Sequence, residues 1–142
     1  MKKLTQTSFC LLIILCTSCH SGKVQITIGD KGSFFAPVAT KIEKHETSVT
    51  LSYVDGTILD VSYGDLGQWA VKEGLKWATI ISEEIEQKEH IKYLITKYSI
   101  NGVKKFVLRD EKLLFFIYGD ISDQALTHAR ALATSFKCAA PH

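Results

Sequence analysis

The chain has 142 residues, of which 46% are hydrophobic and 23% are charged, a composition typical of a folded globular domain rather than a disordered tail. Its 17 Lys and Arg exceed its 15 Asp and Glu by two, and Lys2 and Lys3 account for that excess. The chain after residue 18 is therefore neutral, which argues against nucleic-acid binding, where a surplus of Lys and Arg supplies the affinity.

Residues 1–18 have the features of a secretory signal peptide. A basic start is followed at 9–16 by an eight-residue apolar run, FCLLIILC, which is shorter than the about 20 apolar residues that a membrane-spanning helix needs. The next residues, Cys16-Thr17-Ser18-Cys19, resemble the lipobox of bacterial lipoproteins, in which the final cysteine is acylated and becomes the new N-terminus. Cys16 stands where the usual pattern has Leu.

The lipobox resemblance implies that residues 1–18 are removed, that Cys19 carries the lipid and that 19–23 form a short tether. The membrane is then a partner of the protein. His20 rather than Asp follows the cysteine, which in a Gram-negative cell implies the outer membrane, facing the periplasm. Two alternatives stay open: ordinary signal cleavage that leaves Cys19 as a thiol, and a retained apolar N-terminus.

Cysteine use depends on which of these alternatives holds. Cys10 and Cys16 leave with the leader, and an acylated Cys19 cannot form a disulfide. Cys138 is then an odd thiol in an oxidising compartment, either a harmless terminal cysteine or one that pairs with another chain. It could pair with Cys19 if acylation fails. We expect a single domain over 24–137 and a tail over 138–142.

The domain opens with strands. Alternating apolar and polar residues predict a strand over 24–29, and Gly32 and Pro37 predict a loop over 30–36. A short strand is expected over 38–42.

Residues 48–63 predict a hairpin whose register can be argued. A three-residue loop over 54–56 pairs Leu51 with Leu59 and Val49 with Val61, which keeps the apolar residues on one face. Gly56 supplies the left-handed residue that this loop needs.

A long helix is predicted next, capped by Asp65. Apolar residues recur on one arc at 100° per residue and indicate an amphipathic helix of about five turns packed on a sheet. They are Leu66, Trp69, Ala70, Trp77, Ile80, Ile81 and Ile85. We expect the tryptophans to belong to the core rather than to line a ligand pocket.

Residues 91–118 predict a three-stranded meander. A turn at Asn101-Gly102 pairs Ile95 with Leu108 and Lys97 with Phe106, and a two-residue turn at 111–112 would pair Leu108 with Phe115 and Phe106 with Ile117. Both turns place the same six residues on one face: Tyr93, Ile95, Phe106, Leu108, Phe115 and Ile117. The other face carries Val107, Leu114, Phe116 and Tyr118, so we do not expect it to be fully exposed.

A last helix is predicted from a Ser122 cap through Phe136, with Ile121 and Leu126 forming a hydrophobic staple. Its buried stripe comprises Leu126, Ala129, Leu132, Ala133 and Phe136. The expected fold is α+β: an antiparallel sheet of N-terminal strands, hairpin and meander, packed by one long and one C-terminal helix.

The sequence offers few residues for catalysis. Its five histidines are scattered, and no C-x-x-C after residue 18, Gly-rich phosphate loop or nucleophile elbow is present. We therefore expect no enzyme, no catalytic residue, no metal, no cofactor and no small-molecule substrate. An acidic run beside His90, formed by Glu83, Glu84, Glu86 and Glu89, is expected to be a solvated helix face, although it could dock a basic partner.

The second half of the chain resembles the PsbP-like fold and the DcrB-type bacterial lipoproteins. Residues 111–136 carry the resemblance, with a final strand LLFFIYGD, an acidic turn and a helix ALTHARALATSF that ends in Ser135-Phe136-Lys137. The resemblance implies a small non-enzymatic accessory protein attached to a membrane.

These observations predict a lipid-tethered periplasmic module that binds an envelope protein, such as an accessory of a secretion or conjugation system. The candidate contact residues are Glu83, Glu84 and Glu86, with Phe116 and Tyr118 on the second sheet face. Two alternatives are an immunity-type lipoprotein that binds a basic toxin, and an envelope enzyme or enzyme inhibitor that uses residues 83–90.

Overall fold

A computed structural model describes residues 22–138, and the predicted leader, Cys19 and residues 139–142 lie outside that range. The described part is an α+β fold with ten strands and two helices, as the class prediction required. The strands are β1 (Lys23–Ile28), β2 (Gly32–Pro37), β3 (Lys41–Lys44), β4 (Ser48–Ser52), β5 (Ile58–Tyr63), β6 (Thr79–Lys88), β7 (Ile91–Ile100), β8 (Val103–Asp110), β9 (Phe115–Asp120) and β10 (Lys137–Cys138). The helices are α1 (Gly64–Lys76) and α2 (Asp123–Ser135).

The strands form two antiparallel sheets, so the prediction of a single sheet that includes the N-terminal strands is wrong. The large sheet has seven strands in the order β3-β4-β5-β9-β8-β7-β6, and the small one has three in the order β1-β2-β10. The small sheet and α2 cover one face of the large sheet and share its main core, to which Phe34, Leu51, Phe115 and Ala129 all belong. Helix α1 covers the other face over a smaller core around Val71 and Phe116. No helix of the described residues is long and apolar enough to cross a membrane.

The predicted hairpin register is confirmed. Val49 pairs with Val61 and Leu51 with Leu59. The Tyr53 N–H donates to the Thr57 carbonyl at 2.8 Å, and Gly56 closes the loop with a φ of 89°. Keeping the apolar side chains on one face was therefore a sufficient guide to the register.

The meander is confirmed at its first turn and differs at its second. Ile95 pairs with Leu108 as predicted, but Leu108 pairs with Ile117 rather than Phe115, and Phe106 with Gly119 rather than Ile117. The second connection is a wider loop than the predicted two-residue turn. Because the strand has shifted by two residues, its side chains keep their faces, and all six predicted core residues are buried.

One carboxylate holds the wider loop open. The Asp110 Oδ1 atom accepts hydrogen bonds from the backbone N–H of Leu114 at 2.7 Å and of Phe115 at 3.0 Å. The Leu113 backbone adopts a positive φ of 55° within this loop. These contacts let the chain turn over residues 111–114, so β9 begins at Phe115.

The N-terminal strands are more extensive than predicted. Strand β1 agrees with the sequence, but the loop expected over 30–36 is wrong because most of it forms β2. Phe34 and Ala36 are buried in the main core, and this burial outweighs the turn signal of Gly32 and Pro37. The strand expected over 38–42 begins later, at Lys41. The predicted tether and tail boundaries also shift, since Lys23 opens β1 and Cys138 lies in β10, opposite Gly32.

The long helix is the main error of the sequence prediction. Helix α1 ends at Lys76, and the last turns of the predicted helix are instead strand β6. Thr79, Ile80 and Ile81 form a β-branched run that favours a strand, and Thr79 and Ile80 pair with Ser99 and Tyr98 of β7. Asp65 is not the cap either, because the helix is preceded by Tyr63 without a side-chain cap and Asp65 lies in its first turn.

Helix α1 also buries a different face from the predicted one. Its sheet-facing side includes Gly67, where a Cβ would stand 3.0 Å from the Phe116 ring. Val71 is buried on the same face. Trp69 and Trp77 are 63% and 83% exposed, so the prediction that they belong to the core is wrong. The first turns of the helix approach the sheet closely at Gly67, and the large indoles lie on the outer side.

The last helix is confirmed. The Ser122 Oγ atom accepts a hydrogen bond from the Ala125 N–H at 3.0 Å, which caps α2. The five residues of the predicted stripe are buried, and Ile121 packs against the main core as the staple required.

Candidate functional site

Strand β6 is the most open element of the described fold. It is ten residues long and pairs with β7 on one side, while its outer side forms an edge of the large sheet. The opposite edge, β3, has only four residues. An edge strand presents unpaired backbone N–H and C=O groups that can pair with another chain, so β6 is the candidate site for partner binding.

Glu83, Glu84 and Glu86 of the predicted acidic run lie on this strand, not on a helix end, and Glu89 lies in the turn that follows it. Glu84 pairs with Ile95 and Glu86 with Tyr93, so both point to the side of the large sheet that carries the main core and α2. Glu83 pairs with Thr96 and points to the α1 side. The three carboxylates therefore divide between the two faces and do not form one acidic surface.

Glu86 belongs to the protein's own packing. Arg130 of α2 donates to both of its carboxylate oxygens, from Nη2 at 2.9 Å and from Nε at 3.2 Å, and the Tyr93 hydroxyl donates at 2.7 Å. Burial alone would raise the pKa of Glu86, but the hydrogen bonds from Arg130 and Tyr93 outweigh it and lower that pKa. Burial, followed by the bond to Glu86, raises the pKa of Tyr93 to about 12. The cluster ties the sheet edge to the last helix.

The other two glutamates are more exposed. Glu84 lies 3.5 Å from the Lys97 ammonium, and Glu83 accepts a long hydrogen bond of 3.4 Å from Thr96. Two of the three carboxylates, those of Glu84 and Glu86, are thus ion-paired within the fold, which leaves Glu83 as the more available charge.

Isoleucines share this edge with the glutamates. Ile80, Ile81 and Ile85 are exposed, the last of them at 68%. The register with β7 shifts between Ile80 and Ser82, so Ile81 is an extra residue at a bulge. Sequence analysis missed these residues as surface groups because it assigned them to the buried arc of a helix.

The second predicted contact surface is covered. Phe116 is 0% exposed and packs in the smaller core with Val71 and Tyr98, beneath α1. Tyr118 is partly buried against the same core, and burial raises its pKa. The idea that these two residues offer an open face is wrong, because α1 packs over that part of the sheet.

The residues proposed for an enzymatic site do not gather in one pocket. His90 follows β6, and its Nε2 atom lies 3.1 Å from the Phe136 carbonyl and its Nδ1 atom 3.9 Å from the adjacent Glu89 carboxylate, whereas Glu83 and Glu84 point to opposite faces of the strand. The enzyme alternative thus loses the arrangement that its only candidate residues required. Within residues 22–138, no group of three His, Cys, Asp or Glu side chains is placed to hold a metal ion.

A cavity of about 290 Å³ lies near the end of the chain, between the β6–β7 and β8–β9 connections and β10. Its lining includes His90, Asp110, Lys112 and Cys138. Burial raises the pKa of Asp110, against hydrogen bonds from the Phe115 and Leu114 N–H that lower it. This carboxylate serves the turn described above, and Cys138 is an exposed thiol at the rim.

Comparison with known proteins adds no relative: neither the protein-family models nor the curated proteins contain a match to this chain.

Proposed function

We propose that the protein is a membrane-anchored periplasmic lipoprotein, with acyl groups on Cys19, that acts as a non-enzymatic binding module of the cell envelope. A secretion or conjugation apparatus is the setting that we expect. The leader and the lipobox-like Cys16-Thr17-Ser18-Cys19 support the anchor. Because His20 rather than Asp follows Cys19, the proposed location in a Gram-negative cell is the outer membrane, facing the periplasm.

The observation that carries the binding role is the open edge of β6. Ten residues of backbone are available there, together with three exposed isoleucines that supply apolar contact area. We propose that an envelope protein adds a strand to this edge, with main-chain hydrogen bonds giving affinity and pockets for alternate side chains giving specificity.

The negative charges of the glutamates limit which partner strand can pair with β6. If two copies of β6 paired in antiparallel fashion with Glu83 or Glu84 at the centre, that residue would lie opposite its own copy, and the two like charges would disfavour those registers. A partner strand with a basic residue near Glu83 avoids that repulsion. The proposed complex is therefore hetero-oligomeric. The immunity-type alternative is less well supported, because Glu84 and Glu86 already have cationic partners within the fold.

The anchor is tested by the intact mass of the protein extracted from membranes, with and without reductant. We expect the wild-type protein to have the mass of residues 19–142 plus acyl groups. The Cys19→Ser variant serves as the control and should carry no acyl groups. An unacylated chain that loses two hydrogens on oxidation would instead contain a Cys19–Cys138 disulfide and would contradict the anchor.

The binding edge is tested by photo-crosslinking in intact cells. A photoreactive residue at position 85 of β6 is compared with one at position 43 of β3, an exposed position on the opposite edge. We expect a discrete hetero-complex from position 85 that is absent from position 43. Equal products from both edges, or a dimer of the chain itself, would contradict the proposal.

A further inference from the structure

The two ends of the large sheet can be told apart from its registers. Lys105 pairs with Asp120 on one side and with Tyr98 on the other, so the start of β8, the end of β9 and the end of β7 lie together. The start of β5 lies beside the end of β9, and the start of β6 beside the end of β7. The turns over 54–57 and 101–102 therefore lie at one end of the sheet.

The first described residue lies at that same end. The Gly22 carbonyl accepts a hydrogen bond from the Val38 N–H at 2.8 Å, and Lys41, three residues further, pairs with Ser52 beside the 54–57 turn. The other end of β1 lies far from it, because a Cβ on Gly29 would stand 2.8 Å from the Tyr63 ring at the end of β5. We call the end of the large sheet that carries the turns over 54–57 and 101–102 the Gly22 end.

The Gly22 end exposes apolar side chains. Five large hydrophobic residues there are at least half exposed, and we call them the Gly22-end surface: Val38, Val54, Ile58, Trp77 and Val103. The turns at the opposite end are polar and charged, with the sequences GDK at 29–31, HET at 45–47, EH at 89–90 and EK at 111–112. Apolar side chains gathered at one end of a domain are a candidate surface for contact with a partner or a membrane.

We infer that the Gly22-end surface contacts the lipid bilayer. This inference rests on the proposed acylation of Cys19, because that residue is three positions from Gly22 and three residues span at most about 10 Å. A lipid on Cys19 would hold this end of the domain beside the bilayer, where even a weak contact is favoured by its high effective concentration.

The chemistry of the surface fits the interfacial region of a bilayer. Trp77, at 83% exposure, has an amphipathic ring of the kind enriched at membrane interfaces, and the aliphatic members can enter the boundary of the acyl chains. Two lysines near this surface are ion-paired, Lys105 with Asp120 at 3.2 Å and Lys76 with Glu73 at 2.7 Å, and Lys104 beside Val103 is a further exposed cation. Apolar insertion, together with attraction of such lysines to anionic headgroups, would carry the contact.

The chain provides its own reporters, because it has two tryptophans. In the Trp69→Phe variant Trp77 is the reporter, and in Trp77→Phe it is Trp69, which lies two turns earlier on the exposed side of α1. Each full-length variant is extracted from membranes and reconstituted into vesicles of phosphatidylethanolamine and phosphatidylglycerol with brominated acyl chains. We expect the Trp77 emission to shift to the blue and to be quenched, and the Trp69 emission to be quenched less.

Two charge insertions sharpen the test. Ile58→Asp places a carboxylate on the Gly22-end surface and should reduce quenching of Trp77. The matched control Ile85→Asp alters an isoleucine of similar exposure on the sheet edge and should leave quenching unchanged. Circular dichroism of both variants checks that the fold is retained.

The outcomes separate the two proposals. If the protein is acylated and floats with the vesicles but Trp77 is not quenched, or is quenched less than Trp69, the bilayer contact is overturned and the anchor remains. If the protein carries no acyl groups and does not float, the anchor is overturned, and the surface contact that depends on it is lost as well.

Discussion

His128 and Asp55 join the last helix to the turn between β4 and β5, 73 residues apart in the sequence. The His128 Nε2 atom lies 2.7 Å from the Asp55 Oδ2 atom, and the imidazole stacks on the Tyr53 ring with 3.9 Å between centroids. Neither residue belongs to a recognisable motif, so only the folded structure brings them together. The contact fixes α2 against the hairpin.

This contact should make stability depend on acid pH. Hydrogen bonds from His128 and from the Thr57 N–H lower the pKa of Asp55 from 3.8 to about 2. Since the folded-state pKa is depressed, the stabilisation is present above about pH 4 and is lost as the pH falls through about 2. We expect the difference in unfolding free energy between the wild type and Asp55→Asn to shrink over that window in urea titrations. A difference that does not change with pH would argue against this role.

The Glu86 cluster predicts a strong coupling between β6 and α2. A double-mutant cycle of Glu86→Ala and Arg130→Ala should give a coupling of about 1–2 kcal/mol, because the ion pair is half-buried and bidentate. The same cycle for Glu84 and Lys97, a single longer contact, should give about 0.5 kcal/mol or less. Urea unfolding of the wild type and the six variants measures both couplings, and equal couplings would mean that the geometry does not decide the strength.

Alanine substitutions at Gly32 and at Gly74 should change the stability of the fold in opposite directions. A Cβ on Gly32, whose φ is 156°, would collide with the Lys137 carbonyl and the Phe136 ring, so Gly32→Ala should destabilise the fold by about 1–3 kcal/mol. A Cβ on Gly74, within α1, would meet nothing within 4 Å, so Gly74→Ala should stabilise it by up to about 1 kcal/mol. Thermal unfolding tests the two signs, and a stabilised Gly32→Ala would show that β2 and β10 do not pack as described.

The Asp110 turn predicts a difference between two substitutions of one side chain. Asp110→Ala removes the acceptor of two N–H groups, one of them buried, and should cost about 2 kcal/mol. Asp110→Asn keeps a carbonyl oxygen at that position and should retain most of the stability. Urea unfolding and amide exchange at Leu114 and Phe115 measure the effect, and similar losses in both variants would point to the charge rather than to the hydrogen bonds.

The sequence was a reliable guide where two local signals agreed. In the 48–63 hairpin, the side-chain alternation and Gly56 favoured the same register, and the structure has it. At the β8–β9 turn the alternation fixed the faces, but the loop length depended on the Asp110 hydrogen bonds, which no local pattern reveals.

The sequence predicted one long helix because the apolar residues of β6 happen to continue the helical spacing of α1. Ile80, Ile81 and Ile85 continue the period of Trp69 and Trp77, yet pairing with β7 decides their conformation. The same error hid the candidate site, since the open edge exists only if these residues form a strand. Glu86 could not be recognised as a packing residue either, because Arg130 is 44 residues away in the sequence.

The six residues of β2 set a distance between the two ends of the described chain. Lys23 pairs with Pro37 at one end of that strand, and Cys138 pairs with Gly32 at the other. Five residue steps of extended chain separate these positions by roughly 17 Å. A domain held through its N-terminus would thus carry its C-terminal strand away from the point of attachment, so a label on the Cys138 thiol would report on the side of the domain remote from Lys23.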